Sequence, residues 1–224
     1  MAFDRGLGVI IDKLEQIGEL ENTLIVVSGD HGIPGFPRGK CNLYDLGSEV
    51  ALVARLPGMI APGRVVEDMV NIMDLASTFL EIGGVESPEG MVARSLVPVL
   101  QSTDSGQVDS DRTFVVTGRE RHVAAAREWN LPYPHRAIRT KDYLYIRNFE
   151  PDRWPAGDPR GLDDPATEAP PFEVLEHDTF AAYADCDAGP TKAWMVQHRA
   201  DEDQRAIFQM GFGRRPPEEL YAVM

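Results

Sequence analysis

The residues of this chain best suited to chemistry lie in one run, Ser28-Gly29-Asp30-His31-Gly32-Ile33-Pro34-Gly35-Phe36-Pro37-Arg38-Gly39-Lys40-Cys41-Asn42-Leu43-Tyr44. The Asp30 carboxylate is a hard oxygen donor of the kind that suits Ca²⁺ or Mg²⁺, and the His31 imidazole is a less selective ligand. A divalent ion held by that pair beside the Lys40 ammonium would make a pocket for a tetrahedral anion. Spacing alone leaves a second reading open, because an Asp-His-Gly turn after a strand also serves as a cap or a loop hydrogen bond.

The elements that must position these groups follow from the hydrophobic pattern. Leu7, Ile10, Ile11, Leu14 and Ile17 recur at three- and four-residue spacing, which predicts an amphipathic helix over residues 4–17 stopped at Gly18. Thr23-Leu24-Ile25-Val26-Val27-Ser28 is a continuous apolar run of the kind buried on both faces of a helix-covered sheet, and it would place Asp30 at the carboxyl end of a strand, where α/β sheets put their ligands. Val50 to Leu56, closed by Pro57-Gly58, reads as another core strand, and Asp74 as the cap of a helix through Leu75, Phe79 and Leu80.

The polar stretch from Gln101 to Asp111 marks a boundary, giving an α/β part over residues 1–104 and a second subdomain over 105–224. In the latter, Thr113 to Thr117 and Ala137 to Phe149 read as strands of a small antiparallel sheet. Residues 151–171, crowded with Pro, Gly and Asp, read as an irregular surface segment, and residues 191–209 as helical. Tyr143, Tyr145 and Trp154 are read as packing residues rather than a sugar platform.

Composition narrows the function classes. A formal net charge of −14 argues against generic binding to nucleic acid or to an anionic membrane, which depends on Lys and Arg. The charge is uneven: Arg112 to Arg153 carries nine Lys or Arg against five Asp or Glu, a local excess that either faces an anionic substrate or is simply solvated. Cys41 and Cys186 cannot build a disulfide framework and sit in no Cys-x-x-Cys pattern. No run approaches the roughly 18 apolar residues of a membrane span. Met1-Ala2-Phe3-Asp4 lacks a signal peptide's basic start, so a soluble chain without an address is expected.

Taken in order, these segments resemble the C-terminal half of a sulfatase of the alkaline phosphatase superfamily. Asn22 to Gly32 resembles the family strand that ends in an Asp-His or Asp-Asn metal pair. Lys40 with Leu43-Tyr44 and Gly47 resembles the Gly-Lys segment whose lysine contacts sulfate. Leu52 to Gly58, Asp74-Leu75-Ala76-Ser77-Thr78, and Arg94-Ser95-Leu96 with Leu100 resemble the next strand, a helix start and the close of the core. Within the family, the loop from Gly32 to Tyr44, the run Thr117-Gly118-Arg119-Glu120-Arg121-His122, and Tyr133 to Asn148 are most similar to heparan N-sulfatases.

The resemblance implies an α/β fold, namely the C-terminal part of an alkaline-phosphatase-like α/β sandwich followed by a small antiparallel-sheet subdomain. It implies that Asp30 and His31 are metal ligands, for Ca²⁺, and that Lys40 holds a sulfate oxygen and offsets charge in the transition state. It also sets His122, Glu120 and Arg121 near the sugar, a solvated strand end being the other reading of each. The implied substrate is a sulfated saccharide, carrying the N-sulfate of glucosamine. An O-sulfatase, a phosphatase or phosphodiesterase of the same superfamily, and a non-catalytic glycan-binding remnant are the alternatives. A periplasmic, secreted or lysosomal location is the family expectation.

The sequence also departs from the pattern. The family nucleophile is a formylglycine made within Cys/Ser-x-Pro-x-Arg, and no such motif occurs in the 224 residues; Cys41 precedes Asn42-Leu43-Tyr44. The paired aspartates that complete the metal site are absent as well. A fragment truncated at both ends and inactive alone is therefore expected, with the nucleophile in a missing N-terminal part. Glu49, Ala51 and Ser77 stand where the family often has Arg, Pro and Pro.

Overall fold

The computed structural model describes residues 2–223. The chain divides into two compact units, Met1–Ser28 with Ala51–Thr113, and Gly29–Val50 with Phe114–Met224.

In the first unit, helix α1 (Ala2–Gln16) has Asp4 in its first turn and Lys13 in its last, charges that complement the helix dipole. It ends at Gly18, whose φ of 75° is the left-handed geometry that lets the Glu19 N–H reach back to the Leu14 carbonyl at 2.9 Å. No described residue of α1 is buried; of its apolar stripe Leu7, Ile11 and Leu14 are half-buried and Ile10 is exposed, as is Ile17 just beyond it. Strand β1 (Ile25–Ser28) pairs antiparallel with β2 (Leu52–Arg55), in register Ile25 with Arg55 and Ser28 with Leu52.

These strands correct the expectation of core strands buried on both faces: they form a two-stranded ribbon in which every residue is partly or fully exposed. A continuous apolar run records what a strand can bury. It does not supply the covering layers, and two strands alone cannot enclose each other. The architecture is thus mixed α/β with small antiparallel sheets.

Helix α2 (Asp45–Ser48) lies between the two strands in sequence and belongs to the second unit, and α3 (Asp74–Ile82) and α4 (Val97–Gln101) follow β2. Asp74 does not cap α3 as expected, since Met73 holds the cap position; its carboxylate is instead a buried hub. It accepts the Arg94 N–H at 2.9 Å and the Asn71 N–H at 3.3 Å, and pairs with Arg112 Nη1 at 2.7 Å. Arg112 donates further to the Arg94 and Ser95 carbonyls, both at 2.9 Å. The polar stretch before Arg112 is not free either, because Asp68 accepts the N–H groups of Val108 and Asp109 at 2.9 and 2.6 Å.

The second unit is built on an antiparallel sheet ordered β3 (Phe114–Arg119), β4 (His135–Thr140), β5 (Tyr143–Asn148), β6 (Glu218–Ala222). The stretch read as one strand from Ala137 to Phe149 is a hairpin. It reverses at Lys141-Asp142, where Thr140 Oγ1 accepts the Tyr143 N–H at 3.1 Å. Its alternation was legible all the same: Leu144 and Ile146 are buried with Leu43 and Ala137.

A second core gathers around the fully buried Tyr183, from α5 (Phe172–His177), α6 (Pro190–Gln197) and α7 (Arg205–Phe212). The segment 151–171 has no helix or strand, as its composition predicts, yet it is more than surface, since Ala156 and Leu162 are part of this core. Lys192 is wholly buried and donates to the carbonyls of Thr179, Tyr183 and Cys186 at 3.0, 3.3 and 2.7 Å. Burial pushes its ammonium pKa down. These bonds fix the turn that presents Asp185 and Asp187. No helix among the described residues is long and apolar enough to cross a membrane.

Candidate functional site

Every candidate site residue belongs to the second unit. The loop from Gly29 to Val50 is held by backbone bonds, Gly32 N–H to Gly47 O at 3.0 Å and Lys40 N–H to Ile33 O at 2.9 Å. Chain crosses chain so closely that a Cβ on Gly32 would lie 2.0 Å from the Leu46 carbonyl oxygen, and one on Gly47 would lie 2.3 Å from that of Gly39. Glycine is required at both crossings by space alone.

At the start of this loop Asp30 is almost fully solvated. His31 Nδ1 lies 2.7 Å from the Gly32 carbonyl oxygen, which can only accept, so Nδ1 carries the proton. That leaves Nε2 on the Asp30 side, 3.5 Å from Asp30 Oδ2. A ring nitrogen freed by a backbone bond on its far side is the arrangement of metal-ligating histidines. The pair fits part of a divalent-cation site: among the described residues no cluster of three or more His, Cys, Asp and Glu forms, whereas Ca²⁺ takes about six to eight oxygen ligands.

Lys40 and His122 converge on one short turn. Lys40 Nζ donates to Asp187 Oδ2 at 2.9 Å, both side chains being 28% exposed. Two residues earlier, Asp185 is buried. Its Oδ1 accepts the Val123 N–H at 3.2 Å and faces His122 Nδ1 at 3.6 Å, an ion pair rather than a hydrogen bond. Its Oδ2 lies 2.7 Å from Arg127 Nη2 and 3.9 Å from Arg119 Nη1. Cys41, at a φ of 66°, donates Sγ–H to the Asp185 carbonyl at 3.0 Å and receives Arg119 Nη1 at 3.0 Å.

The electrostatics divide two histidines. Asp185 and then the Cys41 thiol raise the His122 pKa to about 9 against the cost of burial, so this imidazole is cationic at neutral pH. Burial would raise the Asp185 carboxyl, yet His122, Arg127 and Arg119 together hold it down at about 2. His135 moves the other way: burial, then Arg119, Arg127 and Arg136, depress it to about 2, so it stays neutral.

Glu120 and Arg121 are both exposed, and Glu120 is engaged in an ion pair with Arg136. The structure therefore joins Lys40 and His122 through the turn from Asp185 to Asp187, and leaves Glu120 and Arg121 at the surface. Sequence reasoning missed Asp185, Asp187, Arg119 and Arg127. Their signals were the Asp-Cys-Asp run before Gly189-Pro190 and the basic excess over 112–153. Trp154 packs as expected, edge-on to Tyr183 at 6.3 Å, while Tyr143 is 54% exposed.

The family model described as N-sulphoglucosamine sulphohydrolase, C-terminal, matches residues 36–167. An N-acetylglucosamine-6-O-sulfatase from Bacteroides thetaiotaomicron is 30% identical over 177 residues, 73% of this chain and 30% of the relative. Human N-sulphoglucosamine sulphohydrolase is 28% identical over 156 residues, 65% of this chain and 29% of the relative. A solved structure in complex with its substrate D-glucosamine-2-N,6-O-disulfate aligns with a TM-score of 0.55 and 30% identity, over 64% of this chain and 29% of that one. The chain thus spans about a third or less of the proteins it matches.

Proposed function

The chain belongs to the N-sulphoglucosamine sulphohydrolase C-terminal family, a family of sulfatase C-terminal regions, and on that premise we propose that it supplies the anion-gripping part of a glycan sulfatase site. The N-sulfate of a glucosamine residue is the proposed substrate group. The observation that carries this is the pairing of two cationic side chains, Lys40 and His122, both partly exposed and both anchored on the turn from Asp185 to Asp187. Two fixed positive charges beside a carboxylate-bearing turn suit an oxyanion whose charge grows as its bond to the sugar breaks.

In this reading Lys40 exchanges its Asp187 partner for a sulfate oxygen, and His122, kept protonated by Asp185, donates a hydrogen bond to the sulfate or to the departing sugar nitrogen. Asp30 and His31 Nε2 would hold a divalent cation, Ca²⁺ by family, which when bound supplies Lewis-acid polarisation of a sulfate oxygen. The formylglycine nucleophile is assigned to sequence outside these residues. A 6-O-sulfate of glucosamine is the second reading, favoured by the 30% identity to a 6-O-sulfatase.

The test is a calorimetric titration of the 224-residue chain with N-sulfoglucosamine, with and without Ca²⁺. Binding is expected to be weak, to strengthen with Ca²⁺ and to fall about tenfold or more in Lys40→Ala, the loss of one charge-assisted hydrogen bond. Equal affinity in wild type and Lys40→Ala would sink the assignment of Lys40, and stronger binding of the 6-O-sulfated sugar would favour the second reading.

A further inference from the structure

A cavity of about 460 Å³ opens beside this cluster, lined by Arg127, Glu128, Trp129, Asn130, Asp158 and Arg160. Trp129 is 83% exposed, against 44% for Trp194 and a core-packed Trp154. Four residues around the opening hold left-handed backbone although none is glycine: Ala125 (φ 63°), Trp129 (φ 52°), Asn130 (φ 57°) and Arg160 (φ 54°). Asparagine tolerates that region, but a bulky aromatic such as Trp129 is disfavoured there, so the fold must over-determine the turn.

The surrounding bonds do over-determine it. Glu128 N–H donates to Asp158 Oδ2 at 2.7 Å, Asp158 N–H to the Ala126 carbonyl at 2.8 Å, and Asn130 N–H to the Arg127 carbonyl at 3.0 Å. Arg127 binds the Trp154 and Pro155 carbonyls from behind. Gly157, at a φ of 94°, allows the close approach, since a Cβ there would lie 2.7 Å from the Ala184 nitrogen. The outcome is an indole held out into solvent on a rigid turn, which costs apolar exposure and backbone strain and does no packing in return.

We propose that this cavity is a saccharide subsite, with Trp129 as the platform for a sugar ring next to the sulfated glucosamine in an oligosaccharide. The proposal rests on the glycan-sulfatase reading and extends it from one sugar to a chain. A pyranose ring offers a C–H face to an indole and hydroxyls to Asn130, Glu128 and Asp158. Among the described residues Arg160 makes no ion pair, and it is free to meet a sulfate or uronate on that ring. The subsite adjoins the cationic cluster through Arg127, whose Nη2 is 2.7 Å from the Asp185 carboxylate that faces His122.

The experiment compares two ligands on the 224-residue chain: monomeric N-sulfoglucosamine, and a tetrasaccharide alternating uronic acid with N-sulfoglucosamine. Trp129→Ala is expected to cut tetrasaccharide affinity about tenfold and leave the monosaccharide unchanged, with Trp129→Phe recovering most of the loss. Because the side chain is solvated, the substitution leaves the fold intact, which a far-ultraviolet circular dichroism spectrum checks. An unchanged tetrasaccharide affinity in Trp129→Ala, with the monosaccharide still bound, overturns the subsite alone. Failure of the wild type to bind either sugar overturns the glycan reading and the subsite with it.

Discussion

Replacing Asp185 with asparagine is expected to destabilise the protein by about 3–5 kcal/mol, the cost of stranding buried charge after one partner is removed. Arg119 and Arg127 are buried and share this carboxylate. Neither guanidinium can shed its proton, and His135 beside them is held neutral first by burial and then by Arg119, Arg127 and Arg136. Asparagine keeps the shape and the bond to the Val123 N–H but removes the charge. Urea unfolding at neutral pH reads the loss as a lowered midpoint at constant slope.

The same substitution carries a titration signature. With Asp185 ionised, His122 titrates near 9; without that charge it should fall back toward the ordinary histidine range, about 6.5. The sign follows from linkage. The stabilisation from the raised His122 pKa is fully present below the unfolded value and is lost as pH rises through about 9. That from the lowered Asp185 pKa is present above the unfolded carboxylate value and is lost as pH falls through about 2. Imidazole proton shifts followed by NMR would show both. A loss below about 1 kcal/mol, or an unmoved His122 titration, would refute the role given to Asp185.

Arg112→Met, in the first unit, is expected to cost a similar amount, about 3–5 kcal/mol, because it leaves the Asp74 carboxylate buried without its counter-charge. Asp74→Leu breaks the same pair and also abandons the Arg94 N–H. A double-mutant cycle decides how much belongs to the pair. The double variant should recover part of the loss, since two well-packed apolar side chains avoid the desolvation of both ions, but not all of it, since the Arg94 N–H and the carbonyls of Arg94 and Ser95 lose their partners. Strict additivity of the two single losses would show that the 2.7 Å contact contributes no coupling.

What was legible in the sequence was local. The alternation of Leu144 and Ile146 against Tyr143, Tyr145 and Arg147 marks the sheet face. The Thr140-Lys141-Asp142-Tyr143 reversal was overlooked because it interrupts the apolar rhythm by only two residues. The buried-strand reading of Thr23 to Ser28 overreached, since periodicity reports capacity for burial and nothing about the presence of a covering layer. Asp74 looked like a cap because helix starts favour aspartate, and its true partner lies 38 residues on.

The candidate site was half legible for the same reason. Asp30, His31, Lys40 and Cys41 share one run, but the groups that hold Lys40 and His122 in place are contributed from 147 and from 63 residues away, by a turn with no periodicity to mark it. Only the closed fold brings Asp185 and Asp187 to them. The left-handed Trp129 left no trace in composition either, because nothing in Arg127-Glu128-Trp129-Asn130 demands that backbone.

Sulfate release from N-sulfoglucosamine by a polypeptide that unites this chain with a formylglycine-bearing sulfatase N-terminal part tests the role given to Lys40. The chain alone is expected to release no sulfate and the united polypeptide to release it, with Lys40→Ala lowering its kcat/KM by about 10²–10³, the scale of losing one preorganised donor to a developing oxyanion. Turnover by the isolated 224-residue chain, or an unchanged kcat/KM in Lys40→Ala, would contradict that expectation.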